Sequence, residues 1–557
     1  MRLVWLSVNS SYSHSSLALP LLHLACRAVP DWEWRQLETV ITDDLGEIAL
    51  RLAELQPDLI CASLYLFNRR QVTDILERLH ILRPDCHIVV GGPECLGGQA
   101  GEILRCCEAI EVAVSGEGES VLPELLRRLS RGDFPEPITE PIPGLTFRQR
   151  KQQNMIYCWG KNAPRYRRWA EEPAPVESEF FALSKPFVQM ETSRGCQQGC
   201  RYCTSFATPV RVKKIERVAA ELRLLADKGV QEIRLLDRTF NAPPERAAEL
   251  LRLFKNDFPG LRFHLEIHPQ YLSPELQWEL EHALPGQLHL EVGIQSLDDE
   301  VQKASGRACP AHFALAGLRF LCSCPAFEVH ADLLAGLPRQ SRASLWQDVQ
   351  QLIAIGPEEI QLELLKILPG TPLRRESGRQ GILYNPQPPY EVLSTADFSP
   401  RELLEARILS RMLDLFYNHP ALRDALRSAS RSDQNFLNEF LSFLGQRGFA
   451  VNWSGSLRKR LQLLADFLGN KHPDASSALA FQWLKAGLPP NLAPRYPAQT
   501  TAILPPDLIL QEGEDTAGRG RIWHLSTARG SYYFVFERSL RLNLPAAIWQ
   551  EGHCSCS

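Results

Sequence analysis

The first 130 residues alternate between short apolar runs and stretches of helical spacing. Residues 3–8 form an apolar run closed by a polar turn through His14, and residues 17–29 then repeat apolar side chains at helical intervals. A short apolar run bounded by turn signals predicts a buried strand, and the 3.6-residue period predicts a helix. The same alternation predicts helix 44–55, strand 58–64, helix 70–82, strand 87–90, helix 101–107, strand 109–115 and helix 120–129. Strands separated by helices imply a parallel sheet covered on both faces.

A second block repeats the pattern. Strands are predicted at 186–190, 232–236, 262–267, 289–294, 328–334 and 359–364, with helices at 215–228, 245–254, 274–282, 311–321 and 344–355. Ligands of such sheets gather at the carboxyl ends of the strands. Between the blocks, residues 134–143 are too rich in proline to hold a helix. Residues 144–147 and 155–157 flank a charged turn and predict a small hairpin. The basic and aromatic Arg165–Trp169 reads as a solvated loop. Beyond 376 the chain predicts an extended segment at 384–393, mainly helix over 400–488, and a hairpin from 521–526 and 531–536. Four regions follow: 1–132, a connector at 133–185, 186–375 and 376–557.

Composition narrows the function classes. The chain has 557 residues, 44% hydrophobic and 23% charged, with a net charge of -4 from 61 basic and 65 acidic residues. That is an ordinary globular composition, with no global field directed at nucleic acid or an anionic membrane. The opening run reads as a buried strand, and no stretch approaches the 18 or so apolar residues of a membrane span. The 15 cysteines are scattered through a large chain, which suggests free or metal-bound thiols in a reducing cytoplasm.

Three of those cysteines change the picture. Cys196, Cys200 and Cys203 stand at C-x3-C-x2-C spacing on one short loop directly after the strand at 186–190. Three thiolates could hold three corners of a cuboidal four-iron cluster and leave one iron open, whereas electron-transfer clusters take four. Zinc, or a redox pair with a spare thiol, are the alternatives. With Tyr202 before the last Cys, the loop resembles the signature of the radical S-adenosylmethionine (SAM) superfamily. That resemblance implies a partial (βα)6 TIM-like barrel, SAM chelated at the open iron, and one-electron cleavage to a 5'-deoxyadenosyl radical. It also implies SAM- or substrate-facing roles for Tyr202, Asp237, Thr239, Glu266, Glu291, Gln295, Ser296 and Asp332, at the ends of successive strands. The floor of the cavity is expected to be apolar.

The N-terminal loops carry a second resemblance. Tyr12 and His14 follow the first strand, Ser63 and Tyr65 the second predicted strand, Gly91-Gly92-Pro93-Glu94 the third, and Glu117 lies in a Gly-flanked turn after the fourth. The set resembles a doubly wound, Rossmann-like cobalamin-binding domain, in which glycines let the backbone approach the ligand tail and Ser63 meets the nucleotide base. The family's Asp-x-His-x-x-Gly is absent: Tyr12 and Leu17 stand at its Asp and Gly positions, so His14 lacks a carboxylate to orient it toward cobalt. The full layout is similar to a bacterial subgroup of cobalamin-binding radical SAM proteins with an uncharacterised, mainly helical C-terminal domain. It implies an enzyme using a [4Fe-4S] cluster, SAM and cobalamin to methylate an unactivated carbon of a small molecule or peptide, with flavodoxin or ferredoxin as electron donor and no nucleic-acid partner. Another radical rearrangement, a cyclisation, RNA methylthiolation and an iron-sulfur or zinc sensor are the rivals. Cys309, Cys322 and Cys324, and the terminal Cys554 and Cys556, have no recognised cluster spacing and read as packing or mobile thiols.

Overall fold

A computed structural model describes residues 1–557 apart from 97, 133–141, 150–154, 160–162, 164, 308, 470–471, 489–498, 502–519, 528–529, 538–546, 551–552 and 556–557. The N-terminal sheet contains β1 (Arg2–Asn9), β2 (Glu33–Val40), β3 (Leu59–Ser63), β4 (His87–Gly91), β5 (Val112–Val114), β6 (Leu145–Gln149) and β7 (Met155–Trp159). Their order is β2-β1-β3-β4-β5-β6-β7. The first five pair in parallel. The fully buried β1 explains the near-continuous apolar run that predicted it.

Two features depart from expectation. β2 was not foreseen, because at the sheet edge it exposes much of its length and reads Glu-Trp-Arg-Gln-Leu-Glu-Thr-Val. The predicted hairpin at 144–157 is not a free-standing connector: β6 and β7 add antiparallel to β5 and extend the same sheet. The proline-rich 134–141 lies outside the described residues. Two apolar cores, one on each face, hold this sheet between its helices.

The second sheet is built from β8 (Val188–Met190), β11 (Glu232–Leu235), β12 (Arg262–Ile267), β13 (Leu288–Gln295), β14 (Glu328–Ala335) and β15 (Glu359–Leu364), parallel and in chain order. Between β8 and β11 the chain inserts an antiparallel hairpin, β9 (Ser193–Cys196) and β10 (Thr208–Val212). Alternation is strict in β13, where every second residue is buried against the helices and the others face the interior of the open barrel. Five helices, Pro400–Met412, Pro420–Ser432, Phe436–Gln446, Leu457–Leu468 and Pro473–Lys485, share one continuous core with the barrel. A five-stranded antiparallel sheet within 499–555 follows. No helix among the described residues is long and apolar enough to cross a membrane.

Candidate functional site

The hairpin β9–β10 presents the cysteine loop. Cys196 closes β9 opposite Thr208, and the turn between them carries Cys200 and Cys203. Cys196 and Cys200 are buried and Cys203 is partly exposed. The loop lies against the turn after helix Asp299–Ala304: Arg201 N–H donates to the Ser305 carbonyl at 2.9 Å, and a Cβ on Gly306 would stand 2.3 Å from the Gly199 carbonyl oxygen. Only glycine permits that approach, at a φ of 73°.

The three thiols meet different neighbours. Cys196 Sγ lies 3.5 Å from Thr239 Oγ1, Arg307 Nη1 lies 3.7 Å from Cys200 Sγ, and Ser205 N–H donates to Cys203 Sγ at 3.4 Å. Burial pushes the Cys203 thiol up, and Cys200 and Cys196 add to the effect. Burial also raises the Tyr202 phenol, with Cys200 beside it. Among the described residues no three His, Cys, Asp or Glu side chains converge on a single ion. A cuboidal cluster takes thiolates at separate corners, and Cys196, Cys200 and Cys203 on one loop are a donor set of that chemistry. Cys309 and Cys324 are buried in the barrel core; Cys554 and Cys556 fall outside the described side chains.

Arg307 escaped the sequence reading, because nothing in its spacing marks it. Its guanidinium is fully enclosed, directed at Cys200 and at the Gly293 carbonyl, with Nε lacking a hydrogen-bond partner. A cation here faces the thiolates that a bound cluster would require, and so offsets negative charge at low dielectric.

The expected SAM-facing residues separate into two groups. Glu266, Glu291 and Asp332 face the barrel interior, with His264 Nε2 3.0 Å from Glu291 and His330 Nε2 3.2 Å from Asp332. Burial pushes Glu266 up to about 7, Arg238 opposes, and Glu291 and Asp332 reinforce. Burial likewise raises Asp332 to about 6, while the hydrogen bond from His264 lowers Glu291. Gln295 ends β13 at a positive φ of 67°. Asp237 and Ser296 are engaged elsewhere. Asp237 Oδ1 accepts the N–H groups of Thr192 at 2.7 Å and Ser193 at 3.0 Å, and Oδ2 accepts the Thr192 hydroxyl. Ser296, fully buried, donates to Asp348 at 2.8 Å.

Among the described residues, the barrel is polar toward the amino ends of its strands, where an apolar floor was expected. A cavity of about 910 Å³ is lined by Arg234, His264, His289, Glu291, His330 and Glu359 among others. Strict alternation hid this, because the apolar half of each strand packs outward on the helices and the polar half turns inward.

A second cavity, of about 490 Å³, lies between the N-terminal sheet and the barrel. His14, Ser63, Tyr65, Gly91, Gly92, Pro93 and Glu117 line one side, and Gln189, Glu191, Arg194, Leu236 and Arg238 the other. A Cβ on Gly92 would meet the Leu64 carbonyl oxygen at 2.7 Å, so the loops after β3 and β4 pack backbone to backbone. His14 Nδ1 lies 2.8 Å from Ser11 Oγ, so a hydroxyl stands where the sequence comparison called for a carboxylate. Burial lowers the His14 imidazole, with Arg234 adding. Glu117 pairs with Arg211 and accepts Tyr166 N–H at 2.6 Å, while Arg194 reaches Glu119 at 2.9 Å and Glu191 at 2.8 Å. Glu117 and Glu119 thereby tie the cysteine hairpin to the N-terminal domain. Two expected contacts lie off the cavity: Tyr12 is 69% exposed, donating to Asp43 at 2.9 Å, and Glu94 is buried with Arg69 and Tyr390.

Residues 190–352 match the model of the radical SAM superfamily. The central domain is a radical SAM domain. Residues 379–493 match a family described as a protein of unknown function, DUF4080. Among curated proteins, a 2-(S-pantetheinyl)-carbapenam-3-carboxylate methyltransferase from Streptantibioticus cattleyicolor is 25% identical over 364 residues, 60% of this chain and 50% of that protein. The chain thus spans about half the length of that relative. Among solved structures, the radical SAM methyltransferase TsrM from Kitasatospora setae, with tryptophan substrate and a SAM analogue bound, superimposes with a TM-score of 0.59 at 18% identity, covering 81% of this chain and 96% of that one. The cobalamin-dependent radical enzyme OxsB, with aqua-cobalamin and SAM bound, gives 0.58 at 14% identity, covering 84% and 78%. These likenesses show a common fold over most of the chain.

Proposed function

We propose that this chain is a cobalamin-dependent radical SAM enzyme that transfers a methyl group to an unactivated carbon. One observation carries the reading: the cavity walled by His14, Ser63 and the Gly91–Gly92 turn opens directly onto Gln189, Glu191, Arg194 and Arg238 of the radical SAM domain. The wall assigned to cobalamin therefore faces residues of the radical SAM domain across one cavity. Cys196, Cys200 and Cys203 would hold the [4Fe-4S] cluster, and His14, Ser63, Tyr65, Gly91, Gly92 and Pro93 the cobalamin. When bound, these groups with SAM would supply a deoxyadenosyl radical and a transferable methyl group.

The chain's own residues would position and screen that chemistry. Arg307 supports the thiolates electrostatically, and Glu117, Glu119 and Arg194 fix the hairpin against the cobalamin side. Glu266, Glu291 and Asp332 furnish the polar interior where SAM or substrate groups would be oriented, with Glu266 able to hold a proton near neutral pH. The substrate, a small molecule or peptide, the flavodoxin- or ferredoxin-type electron donor and a cytoplasmic setting belong to the same proposal. RNA methylthiolation is less well supported: Cys26, Cys61 and Cys95 are buried in apolar cores with their thiols pushed up by burial, poor candidates for a second cluster.

Anaerobic reconstitution with iron, sulfide and cobalamin, followed by assay of 5'-deoxyadenosine and corrinoid absorbance, tests the proposal. Retention of both iron and SAM cleavage after replacing Cys196, Cys200 and Cys203 with Ala would overturn it.

A further inference from the structure

Tyr390 belongs to none of the machinery described so far, yet it joins three parts of the molecule. It lies in the DUF4080-matched region, and its ring is fully buried. Its backbone is tied to the end of the barrel: Ile367 N–H donates to the Tyr390 carbonyl at 2.9 Å, and two residues on, Val392 N–H donates to the Leu365 carbonyl at 3.0 Å. Arg374 lies 4.9 Å above its ring. Its hydroxyl crosses to the N-terminal domain, where it accepts from Arg69 Nη1 at 2.6 Å and donates to Glu94 Oε2.

Arg69 and Glu94 are the ends of the two loops that wall the cobalamin-side cavity. Glu94 directly follows Gly91-Gly92-Pro93, and Arg69 follows the Ser63–Phe67 loop whose Tyr65 and Phe67 line the same space. The two side chains pair at 3.2 Å, with side-chain exposures of 9% and 3%. The loops also share backbone bonds, Leu64 N–H to the Gly91 carbonyl at 2.8 Å and Glu94 N–H to the Leu64 carbonyl at 3.2 Å. A buried ion pair has little solvent to hold its geometry, so a third partner with a fixed backbone determines where both groups stand.

We infer that Tyr390 is a positioning residue for cobalamin: through the Arg69–Glu94 pair, the DUF4080 region holds the two loops at the spacing that admits the nucleotide tail. The inference rests on the cobalamin reading above. It gives the otherwise unassigned region a task in cofactor binding, and it locates the effect at the tail, because the Gly91–Gly92 turn and Ser63 are the elements it braces.

The test is Tyr390→Phe, which keeps the ring and removes only the hydroxyl. Affinities for cobalamin and for cobinamide, a corrinoid without the nucleotide tail, are measured by spectral titration of the iron-loaded protein. The expected result is cobalamin binding about tenfold weaker, the scale of one lost hydrogen bond to a charged group, with cobinamide affinity and iron content unchanged. Glu94→Gln keeps an acceptor for the phenol while removing the charge partner of Arg69. It shifts cobalamin affinity in the same direction, and it carries the test if Tyr390→Phe does not accumulate folded. Unchanged cobalamin affinity, or equal weakening of both corrinoids, overturns the inference while leaving the cobalamin reading in place. Wild-type protein that binds neither corrinoid overturns that reading, and this inference with it.

Discussion

Asp237 offers the sharpest separation between a cofactor contact and a structural brace. Its three accepted hydrogen bonds fix Thr192 and Ser193 at the root of β9, one turn before Cys196. Asp237→Ala leaves one buried and one partly buried N–H group without an acceptor and removes a bond from a hydroxyl. Bonds to charged groups contribute about 1.5–3 kcal/mol each and are not additive, so a loss of about 4–6 kcal/mol in the barrel's stability is expected. Asp237→Asn keeps Oδ1 for both N–H groups and can donate to the Thr192 hydroxyl, so only charge assistance is lost, about 1–2 kcal/mol. Thermal unfolding of the anaerobically purified protein, with iron counted per chain after reconstitution, should rank wild type above Asn and Asn above Ala in both measures. If Asp237→Asn unfolds with wild-type stability and full iron but binds SAM weakly, Asp237 touches the cofactor and the bracing argument is refuted.

The remaining predictions concern other parts of the site and fold. Arg307→Gln removes a buried cation beside Cys200; at an effective dielectric near 20 a charge a few ångströms away contributes about 2–3 kcal/mol. For one electron that is on the order of 100 mV, so a redox titration should find the cluster harder to reduce by that amount. Glu266, with its folded-state value raised to about 7 from an ordinary 4.5, binds a proton more tightly in the folded chain. Its contribution is therefore full below about pH 4.5 and is lost as pH rises through 7, a fall of up to about 3 kcal/mol. Glu266→Gln should flatten that fall and be the more stable protein at pH 8; Asp348, also raised to about 7 by burial, keeps the profile from becoming level. Gly317→Ala would put a Cβ 2.0 Å from the Pro269 carbonyl oxygen. The helix Ala311–Ser323 must then shift away from the segment after β12 that carries Pro269, and thermal unfolding should show a loss of about 2–4 kcal/mol.

Apart from β2, the parallel strands of both sheets were legible because each carries its own local signal: β1 opens on the apolar run Leu3–Leu6, and β13 alternates without a break. The cysteine triplet was legible as a unit for the same reason, since three thiols on one loop need no tertiary information to be brought together. What the sequence could not convey was contact between distant segments. β2 is an edge strand whose partner, β1, supplies the order its own polar sequence does not encode. Asp237 and Ser296 stand at strand ends, where cofactor contacts are expected, yet their oxygens are taken by Thr192, Ser193 and Asp348, and no spacing rule distinguishes a brace from a contact. Arg307 reaches Cys200 across 107 residues and Tyr390 reaches Glu94 across 296, so both become visible only when the chain has folded. Short-range chemistry thus points to the cofactors, whereas the residues proposed to set how tightly they are held are spread across three regions of the sequence. Selection on the DUF4080 region would then act in part on cofactor retention, and substitutions far from either cavity should alter corrinoid affinity wherever they move Tyr390.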